Sequence, residues 1–281
     1  MSESLEEAYN SLLVQKVPEQ WKNASYASCK SLGPWVHDLV QRVDFFSHWL
    51  ELVLAKVTMT LKVAQGQQPA KPFSASSPEE MDVMRYYPRS YWLSAFFFPQ
   101  GFLTGVLQNH ARRIGVSVDS LVFDFEVQEN SIDKDVIYDI TRKVDVKTKA
   151  FKGPPPPDDG VLVFGLYIDG ACWDLENKTL HDSLPGERFS HLPEIHFIPK
   201  QVIVHSPSKS ESTRASISSQ HSLADSHHTY ECPLYRTSAR AGSLSSTGHS
   251  TNFVTSVNVP SDQSPDFWIM RGVALLCQLD S

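Results

Sequence analysis

The stretch GSLSSTGHS, residues 242–250, carries the residue types of a phosphate cradle: two glycines around a run of hydroxyls. The nucleotide-binding pattern G-x-x-x-x-G-K-[ST] wraps phosphate in backbone N–H groups, supplies a lysine, and places a hydroxyl on Mg²⁺. Here Gly242 and Gly248 enclose five residues rather than four, and His249 stands where the lysine belongs. Such a loop must also open a helix, whose first N–H groups and dipole hold the anion. The next residues, TNFVTSVNVP, are β-branched and closed by proline, which predicts a strand. No acidic residue ends an apolar strand in a position to hold Mg²⁺. The two glycines therefore read as turn residues between strands, with Ser245, Ser246 and Thr247 bonding local backbone groups.

Metal and nucleophile chemistry meet similar obstacles. Eleven histidines include His221, His227 and His228, near Cys232. Structural zinc sites pair their ligands as C-x₂₋₄-C or H-x₃₋₅-H, and this serine-rich stretch does not. Ser245, Ser246 and His249 are adjacent, but no G-x-S-x-G elbow is present. Asp158 and Asp159 follow four prolines and read as an exposed turn. His110 falls on a helix face as a packing residue, and the basic clusters Arg112–Arg113 and 236–240 read as a solvated rim. No catalytic, cofactor or metal residue is predicted.

The chain has 281 residues and a formal charge of −7, which gives no support to nucleic-acid binding. No apolar run approaches the ~18 residues needed to cross a bilayer. The N-terminus is acidic and amphipathic, unlike a signal peptide. Four scattered cysteines without a C-x-x-C pair predict reduced, mostly buried thiols and an intracellular protein.

The elements that would position these residues fall into two groups. Leu5, Ala8, Leu12 and Leu13 mark a first helix closed by Pro18. Val36, Leu39, Val40 and Val43 give the apolar stripe of a second helix from Trp35, prolonged by Phe46, Trp49 and Leu50. Residues 51–88, weakening to polar and proline-rich from about Lys62, read as an insertion or linker. Phe102, Leu103, Val106 and Leu107 recur at helical spacing, capped by Gly115. The period then changes to two. LVFDFEV alternates as a half-buried antiparallel strand, and VLVFGLYIDGACWDL reads as two strands turned at Asp169-Gly170. IHFIP, NFVTSVNV and FWIMRGVALLCQL add further strands, while 204–229 is too polar to pack and is expected to be disordered. Helices followed by an antiparallel β unit define an α+β class.

Four long motifs in collinear order carry a resemblance: YWLSAFFFPQGFLTGVLQNHARR, GLYIDGACWD, CPLYRTSARAGSLSSTGHSTNFV and WIMRGVALLCQL. Together with SYASCKSLGPWVHDLVQRVDFFSHWL, they resemble the C-terminal region of dynein heavy chains, and most of all the axonemal branch. The resemblance covers about 17–50 and 87–280. It implies helices and a small antiparallel β-barrel or sandwich, with 1–50 spanning the end of the last AAA+ unit and the start of the C-terminal domain, and 89–281 forming the helix-plus-barrel module. It also implies packing on the AAA+ ring of a minus-end-directed microtubule motor in the cilium axoneme and cytoskeleton. ATP and Mg²⁺ belong to upstream units, and the intermediate and light chains and microtubules are reached through the full motor. The family motifs place structural weight on Trp92, Phe96, Phe97, Phe98, Asp169, Gly170, Trp173, Gly242, Gly248, His249, Trp268, Arg271 and Gly272. Trp92 and the three phenylalanines are expected to anchor the helix to its neighbours, and the tryptophans at 173 and 268 to fill the β core. A start methionine so close to the module is expected of a fragment or short isoform, which would act as a free-standing interaction module without motor activity.

Overall fold

A helical layer leads into a large sheet. The computed structural model describes residues 3–26, 28–64, 88–128, 157–202, 228–240 and 252–279. Helices α1 (Glu3–Leu13) and α2 (Glu19–Asn23) precede α3 (Leu32–Ala64), a 33-residue helix that runs through Leu50 without a break. The boundary expected at residue 50 therefore falls inside a helix.

The face that α3 buries matches the expected stripe only in part: Leu39, Phe46 and Trp49 pack inward, half-buried. Trp35, Asp38, Arg42 and Phe45 are buried at three- and four-residue spacing, while Val36, Val40, Val43 and Leu50 are exposed. The aromatic residues decide this, because they offer the largest apolar area and face matching rings. Strand β1 (Ser90–Trp92) and a 3-10 turn at Leu93–Ala95 bring up Tyr91, Trp92 and Phe96. Phe46 meets Phe96 edge-on at 5.6 Å, and Trp49 meets Tyr91 at 5.4 Å. Phe96 then stacks on Phe102 at 4.4 Å, which joins α3 to α4 (Pro99–Ile114). Pro99 occupies the first turn of α4, where its missing N–H costs nothing. Gly115 ends the helix with φ 72°.

The remaining strands are β2 (Leu121–Val127), β3 (Val161–Phe164), β4 (Tyr167–Asp169), β5 (Ala171–Asp174), β6 (Thr179–Asp182), β7 (Phe189–His191), β8 (Ile195–Gln201), β9 (His228–Tyr235), β10 (Phe253–Ser261) and β11 (Ala274–Leu276). Among the described residues they form, with β1, one 11-stranded sheet in the order β1-β3-β8-β2-β10-β9-β11-β4-β7, with β5 and β6 attached through β10. The α+β class holds. The expected small antiparallel barrel or sandwich does not: the path is open from β1 to β7, and β1/β3, β2/β10, β6/β10 and β9/β11 are parallel. These neighbours are not joined by tight turns, so each strand's direction follows from where the backbone re-enters the sheet.

Three local readings change as well. Asp169-Gly170 does not close a hairpin, because β4 pairs with β11 and β7 while β5 pairs with β6. Gly170, at φ 83°, instead turns the backbone out of one ladder and into another. The segment that reads as a strand from Phe267 begins as helix α5 (Pro265–Arg271), with proline in its first turn and Gly272 at φ 63° as its cap. Its signals are those of a short helix: Ser-Pro-Asp at the start, Arg-Gly at the end. Finally, His228 and Thr229, placed in the polar insertion, already pair with Ser261 and Pro260 in the β9/β10 ladder. The remainder of that insertion, most of 51–88 beyond Ala64, and the loop 242–250 lie outside the described residues.

The core sits between α4, α5 and the sheet. Trp268, Phe123, Phe197, Leu166, Ile168 and Leu234 are among its largest fully buried members. A smaller cluster of Val17, Tyr26 and Trp35 lies beneath the start of α3.

Candidate functional site

Among the described residues, the fold brings chemistry-bearing side chains together at two buried junctions. The first centres on Arg42. Its place on α3, four residues after Asp38, puts the two on one face, where Nε meets Asp38 Oδ2 at 2.8 Å. Its guanidinium also donates to the Ser94 carbonyl and, at 3.1 Å, to Gln278 Oε1. The Tyr26 ring lies 3.6 Å away and the Trp92 ring 5.3 Å away. Lys30 Nζ adds a second cation 3.1 Å from Asp38 Oδ1. Burial alone would raise the Asp38 carboxyl, but its bond with Tyr26 and the charges of Arg42 and Lys30 hold it below the usual carboxylate range. Burial, then Asp38, push the Tyr26 phenol up. A buried charge is tolerated only when paired and hydrogen-bonded, and Arg42 meets both conditions. Chemically this is a fastener: it ties the long helix, the aromatic turn and the segment after the last strand together.

The second junction centres on Asp169 at the end of β4, only 5% exposed. Arg240 Nη2 reaches it at 2.6 Å and Arg188 Nε at 3.2 Å. Arg240 also donates to the Gly272 carbonyl at the cap of α5. The backbone N–H of Gly170 donates to the Arg188 carbonyl at 2.9 Å, and the Tyr230 hydroxyl to the Val273 carbonyl at 2.7 Å. Residues from three of the sequence motifs thus converge on one carboxylate.

Of the residues singled out from the sequence, Asp169, Gly170 and Gly272 meet at this junction. Arg271 lies beside it, 3.8 Å from the Phe267 ring, and pairs with Asp182 at 3.2 Å. Trp268 is fully buried, and its indole N–H donates to Ser261 Oγ. Trp173 is half-buried, 5.0 Å from Phe125, and forms one wall of a groove of about 490 Å³ with Val127 and Pro260. Trp92 and Phe96 pack beneath α3, whereas Phe97 and Phe98, expected to anchor the helix, are 52% and 69% exposed. Gly242, Gly248 and His249 lie outside the described residues, in the connection between β9 and β10.

Sequence reasoning misses Asp38, Arg42 and Arg240. An acid–base pair at i and i+4, flanked on the same face by Trp35 and Phe45, is the available signal for the first two. Arg240 reads from the sequence as part of a solvated rim, yet its side chain is only 31% exposed. His110 is engaged too: its Nδ1 lies 2.9 Å from Asp159, which Arg113 also pairs at 2.7 Å. Among the described residues, no three His, Cys, Asp or Glu side chains gather to hold a metal ion. No disulfide joins the four cysteines. Cys232 and Cys277 are buried, and burial pushes both thiols up to about 12, while Cys29 is exposed and Cys172 half-buried.

A family model for the C-terminal domain of the dynein heavy chain matches residues 1–277. The protein belongs to this family. Human dynein axonemal heavy chain 6 is 40% identical over 281 residues, covering 99% of this chain, and human dynein axonemal heavy chain 14 is 37% identical over 286 residues. Mouse dynein axonemal heavy chain 3 is 35% identical over the whole of the sequence. The 281 residues span only 5–8% of the length of these relatives. The range matched by the dynein C-terminal domain includes residues 51–88, which read as an insertion from the sequence. No described helix is long and apolar enough to cross a membrane.

Proposed function

We propose that this chain is the non-catalytic C-terminal module of an axonemal dynein heavy chain, which packs on the AAA+ ring and modulates a minus-end-directed microtubule motor of the cilium. ATP hydrolysis with its Mg²⁺, and contacts with microtubules and with intermediate and light chains, belong on this reading to the rest of the motor. One observation carries it. The outward face of α3 bears Val36, Val40, Val43, Leu50, Leu54 and Val57, each 42–57% exposed. Their spacing of four, three, seven, four and three residues keeps them on one stripe. The opposite face is already committed to the Arg42 junction and the aromatic turn. A stripe this long is an interface rather than scattered surface residues, since burial contributes about 1.5–3 kcal/mol per side chain. Helix α1 repeats the pattern with Leu5, Tyr9 and Leu13 exposed on one side.

The test is binding in trans. The 281-residue protein is titrated against dynein axonemal heavy chain 6 truncated ahead of its matching segment. Saturable binding by the wild type, lost in Val40→Asp/Val43→Asp with the melting temperature kept, supports docking through α3. A monodisperse wild-type protein that does not bind refutes it and favours a free-standing interaction module.

A further inference from the structure

Arg236 lies just after β9, half-buried in a crevice that it shares with Arg42, Tyr26, Phe96 and Cys277. The two arginines differ in their state. Arg42 is saturated by Asp38, Ser94 and Gln278. Arg236 uses its backbone N–H on the Asn252 carbonyl, and its guanidinium faces the Phe98 ring at 5.7 Å. Among the described residues, no oxygen accepts a hydrogen bond from that guanidinium. Burial, and the neighbouring charge of Arg42, push it below the ordinary arginine value. A half-desolvated cation with five N–H donors and no facing anion is costly, and a carboxylate offered from outside would offset that cost.

The surroundings select the kind of partner. Phe98 stands exposed beside the guanidinium, and its chain neighbour Phe97, also exposed, meets the buried Tyr26 edge-on at 6.3 Å. Exposed aromatics around an arginine have the composition of a protein-interface hot spot. Of the two guanidiniums in the crevice, Arg236 alone is uncommitted among the described residues, and its single charge balances one carboxylate, whereas a phosphate group would bring nearly two negative charges. Because the 281 residues span 5–8% of the relatives' length, the nearest source of such a carboxylate is the rest of the same heavy chain.

We infer that Phe97, Phe98 and Arg236 form a second docking surface, which takes an Asp or Glu side chain and its apolar neighbours from the heavy chain outside these 281 residues. This rests on the docking reading above but uses different residues from the α3 stripe. It also explains why two members of a three-phenylalanine motif are left outside the core.

The experiment uses the same trans titration with Arg236→Gln, Phe98→Ala and Val43→Asp variants of the full 281 residues. Because Arg236 has no side-chain acceptor among the described residues, Arg236→Gln should keep the wild-type melting temperature while binding about tenfold more weakly. The Arg236→Lys variant, treated with a water-soluble carbodiimide in the complex, should couple its amine to the facing carboxylate, with loss of water to the reagent. Peptide mass mapping then names the acid. Unchanged affinity in Arg236→Gln overturns the inference while leaving α3 docking intact. Loss in Arg236→Gln with full binding by Val43→Asp does the reverse. Failure of the wild type to bind overturns both. Coupling only to acids within the 281 residues, or stabilisation by inorganic phosphate that Arg236→Gln abolishes, also overturns the inference.

Discussion

Arg42 and Gln278 stand 236 residues apart in the sequence and share a 3.1 Å hydrogen bond from guanidinium to side-chain carbonyl. Through this contact the helical layer is tied to the residues just beyond the last strand. With Asp38 and the Ser94 carbonyl on the same guanidinium, the junction predicts strong coupling across the module. Asp38→Asn leaves a buried guanidinium without its counter-charge and should cost about 3–5 kcal/mol in chemical denaturation. Replacing both partners by apolar residues, Asp38→Leu with Arg42→Met, should recover much of that loss. A double variant as unstable as the sum of the two singles would show that the pair is not the unit.

Acid should loosen the same junction. Asp38 in the folded protein titrates below its unfolded value of about 3.9, so the folded state binds fewer protons there. Its contribution is present above that unfolded value and is lost as pH falls through the depressed folded one. Melting temperature followed from neutral pH into this acid window should drop less steeply in Asp38→Asn than in the wild type. Parallel curves would place the acid sensitivity elsewhere, with Asp159 the next candidate, since its carboxyl is also held low against burial by His110, the Gly160 N–H and Arg113.

At Asp169 the two arginines should not be equivalent. Arg188 is 68% exposed and screened by solvent, so Arg188→Ala should cost at most about 1 kcal/mol. Arg240 is more enclosed and also holds the Gly272 carbonyl, so Arg240→Ala should cost roughly 1.5–3 kcal/mol. Urea midpoints of the two variants decide the order.

The tryptophans should separate in the same way. Trp268→Ala empties a fully buried site and removes the indole N–H bond to Ser261, at about 3–5 kcal/mol. Trp173 is half-buried against a groove, and Trp173→Ala should shift the melt by clearly less. Equal shifts would mean that Trp173 carries core weight after all.

Much of this is legible in the sequence where periodicity and caps speak plainly. Helix α4 ends at the glycine expected to cap it, and the alternation of LVFDFEV is that of β2. The illegible parts depend on distant partners. The valines of α3 have helical spacing, but spacing cannot say which face meets the core, and here the aromatic face wins. Asp169-Gly170 has hairpin chemistry, yet β4 finds β11 and β7 instead. The buried Arg42 and the enclosed Arg240 look like surface charge because the carboxylates and carbonyls that receive them lie largely elsewhere in the sequence.

Docking of the α3 stripe onto the rest of the heavy chain can be read side chain by side chain with hydroxyl-radical footprinting, first on the 281 residues alone and then with the truncated dynein axonemal heavy chain 6. Val36, Val40, Val43, Leu50 and Leu54 should lose most of their oxidation in the complex, while Met270, 87% exposed on α5, serves as a reference away from the stripe. Unchanged oxidation along α3 in a complex that demonstrably forms would contradict docking through this face.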